Sequence, residues 1–135
     1  MDAERYERMK TAIEKQGYSV VSAKGDDARF LLQFGAEAIS DEVGIMHMSE
    51  IPSASAFFEE VIHLSQIKKY GPMNDTDFVE RAAREVAANR KLLKNGKAYG
   101  FTEADFQEIE TNLKYWEKDF EKRAGVSYDK SDIRR

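Results

Sequence analysis

The sequence predicts an α+β fold: an N-terminal helix, a small three-stranded sheet of antiparallel or mixed type, and then three helices. Short β-branched and apolar runs, separated by turn residues, occupy residues 18–48. Apolar residues at three- and four-residue steps dominate residues 53–125. A length of 135 residues is enough for one core. We therefore expect a single domain at 1–125 and a polar, frayed tail at 126–135.

The composition limits the classes of function. With 41% hydrophobic and 34% charged residues, the chain has the composition of a soluble globular protein. A net charge of −4 and a pI near 5.3 argue against nucleic-acid binding through a general positive field. The chain has no cysteine, which excludes disulfides, thiolate metal ligands and cysteine nucleophiles.

The sequence also bears on location. No apolar run reaches the roughly 20 residues that a membrane-spanning helix needs. The charged start, Met1-Asp2-Ala3-Glu4-Arg5, lacks the apolar stretch of a signal peptide. We therefore expect no membrane association and a cytoplasmic location when the chain is expressed alone.

The first half of the chain is predicted to contain one helix and three strands. The helix covers 2–16, and the strands cover 18–23, 28–34 and 43–48. Residues 35–42 are ambiguous, because they fit either a continuation of the second strand past a bulge or a loop. Within the third strand, the alternation places His47 at the sheet surface, where a strand residue is a better interpretation than a metal ligand.

Three helices are predicted in the second half, at 53–70, 77–93 and 102–125. Ser53 or Ser55 can cap the first of them, and Gly71 followed by proline ends it. The second begins with acidic residues and ends near Asn95-Gly96, in the sense that the helix dipole favours.

The last helix has the clearest signals. Thr102 and Asp105 have the spacing of a capping box, and Phe101 and Phe106 occupy the two positions of a hydrophobic staple. Its apolar stripe consists of Phe106, Ile109, Leu113, Trp116 and Phe120.

The helix at 53–70 carries the candidate functional residues. At about 100° per residue, Glu59, His63, Gln66 and Tyr70 fall in one row, and Glu60 lies one row away. Apolar residues cover most of the remaining circumference, so the polar row must be satisfied or it costs stability. Glu60 and His63, or Glu59 and His63, have the spacing of carboxylate and imidazole ligands that hold one metal ion.

A second part of the site is expected on the 77–93 helix. Glu85 shares a row with apolar residues and points inward, where His63 or a metal held by it would be its partner. The alternatives for Glu85 are an ion pair with Arg81 on the same helix and a position at the rim of the surface. Glu80 shares its row with Arg84, which indicates a solvated face.

Residues 52–66, with the sequence PSASAFFEEVIHLSQ, resemble a segment of zincin-like metallopeptidase domains. Such domains occur at the C-termini of bacterial polymorphic toxins and in some phage-derived or secreted toxin proteins. The similar pattern there is a short sheet with an edge strand, a Pro/Ser entry and a helix with E-E-x-x-H-x-x-Q, followed by a helix with an acidic residue. The resemblance extends over most of residues 28–122.

The resemblance implies roles for individual residues. His63 would match the second histidine of H-E-x-x-H, Glu60 the general base and Glu85 the third, downstream ligand. Glu59 stands where the family has its first histidine, and such a carboxylate-rich site would suit Mn²⁺ or Fe²⁺ as well as Zn²⁺. The strand at 43–48 would lie along the cleft, where such peptidases take their substrate as an added strand.

The sequence thus predicts a zincin-like metal-dependent hydrolase, active or degenerate, of bacterial toxin, effector or phage type. By the resemblance, its partners would be a protein or peptide substrate and an immunity or inhibitor protein, and it would be secreted or delivered. One alternative is a non-catalytic binding or structural domain whose Glu/His/Gln row is a buried hydrogen-bond network. Another is a toxin nuclease with His63 and Glu60 as acid and base, against which the acidic charge counts.

Overall fold

Helices form most of the chain. In the computed structural model, the described residues are 2–22, 38–40, 45–48, 53–74 and 76–133. Their helices are α1 (Ala3–Lys15), α2 (Ala54–Tyr70), α3 (Phe78–Tyr99) and α4 (Glu103–Ala124), with a 3₁₀ turn at Tyr128–Lys130. The strands are β1 (Ser19–Ser22), β2 (Ala38–Ser40) and β3 (Ile45–Met48). The chain divides into two compact units, Met1–Pro72 and Met73–Arg135.

The predicted α+β class is wrong for the architecture of the chain. The four helices have 13, 17, 22 and 22 residues, whereas the three strands have 4, 3 and 4. In the second unit, the described residues form helices and turns only. Among the described residues, helices thus account for far more of the chain than strands do. The described part of the chain is therefore all-α in architecture, with a minor three-stranded sheet in the first unit.

The minor sheet has the order β1-β3-β2. β1 pairs with β3 in parallel, from Ser19 opposite Ile45 to Ser22 opposite Met48, and β2 pairs with β3 in antiparallel fashion. β3 is therefore the central strand, and the resemblance was wrong to imply an edge strand. The predicted strand at 28–34 lies outside the described residues.

In the first unit, aromatic rings join α1 to α2. Tyr6 is buried and meets Phe57 edge-on, with the ring centroids 5.9 Å apart. The Arg5 guanidinium lies over the Phe58 ring, 5.7 Å from its centroid. Because α1 covers these two phenylalanines, the start of α2 is held in place directly before its first carboxylates.

In the second unit, α3 and α4 bury Ala82, Ala83 and Phe120 in one cluster. The prediction that α3 ends at residue 93 is wrong, because the helix continues to Tyr99 and Gly100 caps it in the left-handed conformation. Gly96 lies inside the helix, and a side-chain carbon there would collide with the ring of Phe106. This glycine therefore allows the two helices to approach closely and does not end the helix.

The segment after α4 is packed, although the sequence suggested that it frays. The Tyr128 ring meets Phe120 edge-on at 5.5 Å, and Ser131 is buried with its hydroxyl donating to the Tyr128 carbonyl at 2.7 Å. Asp129 accepts two hydrogen bonds from Arg90, at 2.6 and 3.1 Å. The predicted domain boundary at residue 125 stays a prediction.

Candidate metal centre

The helix α2 positions the candidate site. Ser53 caps it by accepting a hydrogen bond from the Ala56 amide at 3.2 Å, and Gly71 ends it with φ of 86°. Phe57 and Leu64, which lie two turns apart on one face of the helix, are almost fully buried and anchor that face. The polar row is consequently presented from a rigid element, as a functional site requires.

Three side chains of α2 converge on one point. Glu59, Glu60 and His63 each offer a ligand atom, and these atoms all lie within 4.8 Å of one another. His63 Nε2 and Glu59 Oε1 are 3.7 Å apart, with the two side chains 18% and 37% exposed. The three residues form a group that could hold a metal ion.

The distance of 3.7 Å between His63 Nε2 and Glu59 Oε1 indicates how these two atoms can interact. It exceeds the 2.7–2.9 Å of a charge-assisted hydrogen bond between nitrogen and a carboxylate. Two donors that bind one tetrahedral ion, each about 2.1 Å from it, lie roughly 3.4 Å apart. Glu59 Oε1 and His63 Nε2 therefore have nearly the spacing of two ligands of a single ion.

The other nitrogen of His63 contacts Gln66. His63 Nδ1 and Gln66 Oε1 are 2.9 Å apart, and Gln66 is only 7% exposed. Protein groups that hydrogen-bond the distal nitrogen of a ligating histidine commonly orient its ring toward the metal. The predicted row thus contains a consecutive set of contacts from Glu59 through His63 to Gln66.

The two other candidates in the first unit are Tyr70 and His47. Tyr70 is the last residue of α2, is 39% exposed and has the Lys69 ammonium 5.2 Å from its ring centroid. His47 lies in the central strand, opposite Val21 of β1 and Ile39 of β2. A peptide cannot pair with the backbone of β3 at residues 45–48, because both sides of this strand are already paired.

Glu85 belongs to α3 in the second unit. Its side chain is half-buried, and its backbone carbonyl accepts a hydrogen bond from Asn89 Nδ2 at 2.8 Å. The predicted role of Glu85 as a third ligand stays a prediction.

The prediction of a solvated row at Glu80 and Arg84 is wrong. Arg84 is 6% exposed, and its Nε donates to Glu80 Oε1 at 2.9 Å. The i,i+4 spacing of opposite charges was visible in the sequence, as were the alanines Ala82, Ala83 and Ala88 around it. Alanine gives no amphipathic contrast, however, so the periodicity did not reveal that this side of α3 is buried.

Comparison with known proteins gives no match to any family model, curated protein sequence or solved structure. The resemblance to zincin-like domains therefore rests on the motif at 52–66 and its context. Among the described residues, no helix combines the length and apolar composition that crossing a bilayer requires.

Proposed function

We propose that this chain is a divalent-metal-dependent hydrolase whose metal centre is built on α2. The observation that carries the proposal is the convergence of Glu59, Glu60 and His63, whose ligand atoms lie within 4.8 Å of one another. Two carboxylates and one imidazole have a total charge of −2 or −1, depending on the protonation of His63. A bound divalent cation would neutralise this charge.

The donor set supports particular ions. Carboxylate oxygen and imidazole nitrogen suit Zn²⁺, Mn²⁺ and Fe²⁺, and the chain contains no cysteine that would favour softer ions. Zinc is the first ion to test, because the 3.7 Å between Glu59 Oε1 and His63 Nε2 is close to the ligand spacing of a tetrahedral site.

Each residue has a separate role in the proposal. Glu59 and His63 hold the ion, and Glu60 takes a proton from the attacking water and passes it to the leaving group. The cation, when bound, lowers the pKa of that water and polarises the bond to be broken. Glu60 suits the role of base because it lies within the same 4.8 Å group as the two proposed ligands, Glu59 and His63.

The substrate class follows from the resemblance of residues 52–66 to zincin-like peptidases, which makes a peptide bond the first substrate to test. An inhibitor or immunity protein is the partner that the same resemblance suggests. The recognition of substrate by strand addition at β3 is not part of the proposal, because that strand is paired on both sides.

Metal content tests the binding step. Protein purified without chelator should contain close to one equivalent of a divalent metal by mass spectrometry, and His63→Ala should lose it. The second histidine of the chain provides a matched control, since His47→Ala should retain the metal. Absence of metal from the wild-type protein, even after dialysis against Zn²⁺, Mn²⁺ and Fe²⁺, would contradict the proposal.

Glu60→Gln tests the chemical step. The variant keeps the shape of the side chain but removes the base, so peptide hydrolysis should be lost while the protein stays folded and keeps its metal. Glu108→Gln, an exposed replacement on α4, is the matched control for loss of one carboxylate. Unchanged hydrolysis of a peptide library by Glu60→Gln would exclude the proposed role of this residue.

A non-catalytic network is the second candidate, and the hydrogen bond between His63 and Gln66 favours it. In that case the hydrogen bond to Gln66 helps to satisfy the imidazole, and the row only stabilises α2. The protein would then contain no metal and would have the same stability with and without EDTA. Cleavage of total RNA by the purified protein would instead support the nuclease alternative.

A further inference from the structure

We infer that Gln66 is a positioning residue, which places the hydrogen of the neutral His63 ring on Nδ1 and leaves the lone pair of Nε2 for a metal ion. The inference concerns the tautomer of one imidazole and the residue that selects it. It rests on the proposed function for its purpose, although the tautomer itself exists without any metal.

The hydrogen-bond geometry gives the first argument. His63 Nδ1 lies 2.9 Å from Gln66 Oε1, a distance typical of an N–H···O hydrogen bond. An amide oxygen only accepts, so the hydrogen in this contact must be carried by Nδ1. In a neutral ring Nε2 is then unprotonated, and its lone pair is directed away from Gln66.

The burial of Gln66 gives the second argument. The residue is 7% exposed and lies three residues after His63, nearly one turn along the same helix. Water has little access to replace the contact if it is broken. With the hydrogen on Nε2, a lone pair of Nδ1 would face a lone pair of Oε1, unless the amide turned through 180°.

The position of Nε2 connects the tautomer to the metal centre. Nε2 is the ring atom that faces Glu59, with Oε1 of that residue 3.7 Å away. An unprotonated Nε2 is a metal ligand, whereas an Nε2–H group would donate to Glu59 and would occupy the place of the ion. The hydrogen bond to Gln66 therefore selects the form of His63 that can bind metal.

The first test is a long-range ¹H–¹⁵N correlation spectrum of the metal-free protein in EDTA, at a pH where the imidazole is neutral. The His47→Ala background leaves His63 as the only histidine, so its two nitrogens can be assigned without ambiguity. The expected spectrum shows a protonated Nδ1 and an unprotonated Nε2. The opposite pattern, with the hydrogen on Nε2, overturns the inference.

Variants at position 66 test whether Gln66 selects the tautomer. Gln66→Leu should move the hydrogen toward Nε2 and weaken Zn²⁺ binding by about 10- to 100-fold, as for other groups that orient a ligating histidine. Gln66→Glu replaces the amide, which can donate as well as accept, by a carboxylate that only accepts, so it should retain the hydrogen on Nδ1 and most of the Zn²⁺ affinity. Gln107→Leu, at an exposed position on α4, is the matched control and should leave spectrum and affinity unchanged.

The spectra and the Zn²⁺ titration separate the failure of the inference from that of the hydrolase. A protonated Nδ1 in a protein that binds none of Zn²⁺, Mn²⁺ and Fe²⁺ supports the tautomer inference and refutes the metal centre. A protonated Nε2 in a protein that binds Zn²⁺ overturns the inference and leaves the hydrolase standing. An unchanged tautomer in Gln66→Leu also overturns it, because another group must then select the hydrogen position.

Discussion

Two helices carry charged side chains among buried neighbours, and their charges are arranged differently. On α3, Arg84 Nε donates to Glu80 Oε1 at 2.9 Å, and the side chains are only 7% and 19% exposed. On α2, two carboxylates lie beside one imidazole, and Glu59 Oε1 is 3.7 Å from His63 Nε2. The charges of Glu80 and Arg84 cancel, whereas Glu59, Glu60 and His63 are negative in total whether or not His63 is protonated.

The difference shows how a structural set of charges can be distinguished from a functional one. Opposite charges in hydrogen-bond contact stabilise each other, and removal of one leaves the other buried without compensation. Like charges beside an imidazole repel, and they are retained at a cost in stability that a bound cation would remove. Loss of a charge should therefore lower the free energy of unfolding on α3 and raise it on α2. The variants Arg84→Met, Arg90→Met and Glu59→Gln test this expectation.

The largest effect is expected for Arg84→Met. The substitution removes the cation from a buried pair, so the free energy of unfolding should fall by about 3 kcal/mol. Urea denaturation at neutral pH gives this quantity. The double variant Glu80→Gln/Arg84→Met should recover most of the loss, because no uncompensated charge remains. A loss below about 1 kcal/mol in the single variant would be typical of an exposed pair and would remove the contrast with α2.

Arg90→Met should have a smaller effect of the same sign. Arg90 binds Asp129 through two hydrogen bonds and Glu117 through one, but its side chain is 35% exposed, so we expect a loss of about 1 kcal/mol. The substitution should also increase hydrogen exchange at Tyr128–Lys130, which Arg90 holds in place. Arg90→Lys keeps the charge but not the paired geometry, and it should be intermediate. Unchanged hydrogen exchange at Tyr128–Lys130 in Arg90→Met would contradict the role of Arg90 in holding these residues in place.

The sign of the pH dependence of the Arg90 contacts follows from its pKa. The hydrogen bond to Asp129 raises the pKa of Arg90 above its usual value, although burial acts in the opposite direction. A raised pKa means that the contribution to stability is fully present below the pKa of the unfolded state and is lost only at higher pH. The difference in unfolding free energy between wild type and Arg90→Met should thus stay constant from neutral pH to pH ~10, below the usual pKa of arginine.

The smallest effect is expected for Glu59→Gln, and it should have the opposite sign. At a pH where His63 is neutral, removing one of two nearby carboxylates should stabilise the metal-free protein by about 0.3 kcal/mol, which is the scale of a partly exposed charge pair. The affinity for Zn²⁺ should fall about tenfold or more in the same variant, because a ligand is lost. Calorimetry in EDTA and Zn²⁺ titration measure the two quantities. If Glu59→Gln is destabilised in EDTA, Glu59 stabilises the metal-free protein, as Glu80 and Arg84 do on α3.

Local signals in the sequence identified the helices well. Thr102 and Asp105 form the predicted capping box, and Ser53 and Gly71 bound α2 as expected. Such signals depend on neighbours within one turn, so they can be recognised without knowledge of the fold. The end of α3 was predicted too early because Gly96 was taken as the stop of the helix. Gly96 instead lies inside the helix, where the ring of Phe106 leaves no space for a side chain.

Features that depend on contacts between distant parts of the chain could not be predicted from these local signals. The pairing of β3 with two strands, the burial of Arg84 and the docking of Tyr128 depend on residues distant in the sequence. In the candidate site, the spacing of Glu59, His63 and Gln66 was sufficient to predict that they lie together on one helix. A ligand from another helix, as proposed for Glu85, depends on tertiary packing that spacing does not encode.

The position of Trp116 has a practical consequence for spectroscopy. It is the only tryptophan of the chain, packs against the cluster of Ala82, Ala83 and Phe120 in the second unit, and has the Arg81 guanidinium 5.6 Å from its ring centroid. Its fluorescence therefore reports the unfolding of residues 73–135, whereas both histidines, and hence the imidazole resonances, belong to residues 1–72. The two halves thus contain separate intrinsic probes, and the order in which they unfold can be measured without a label.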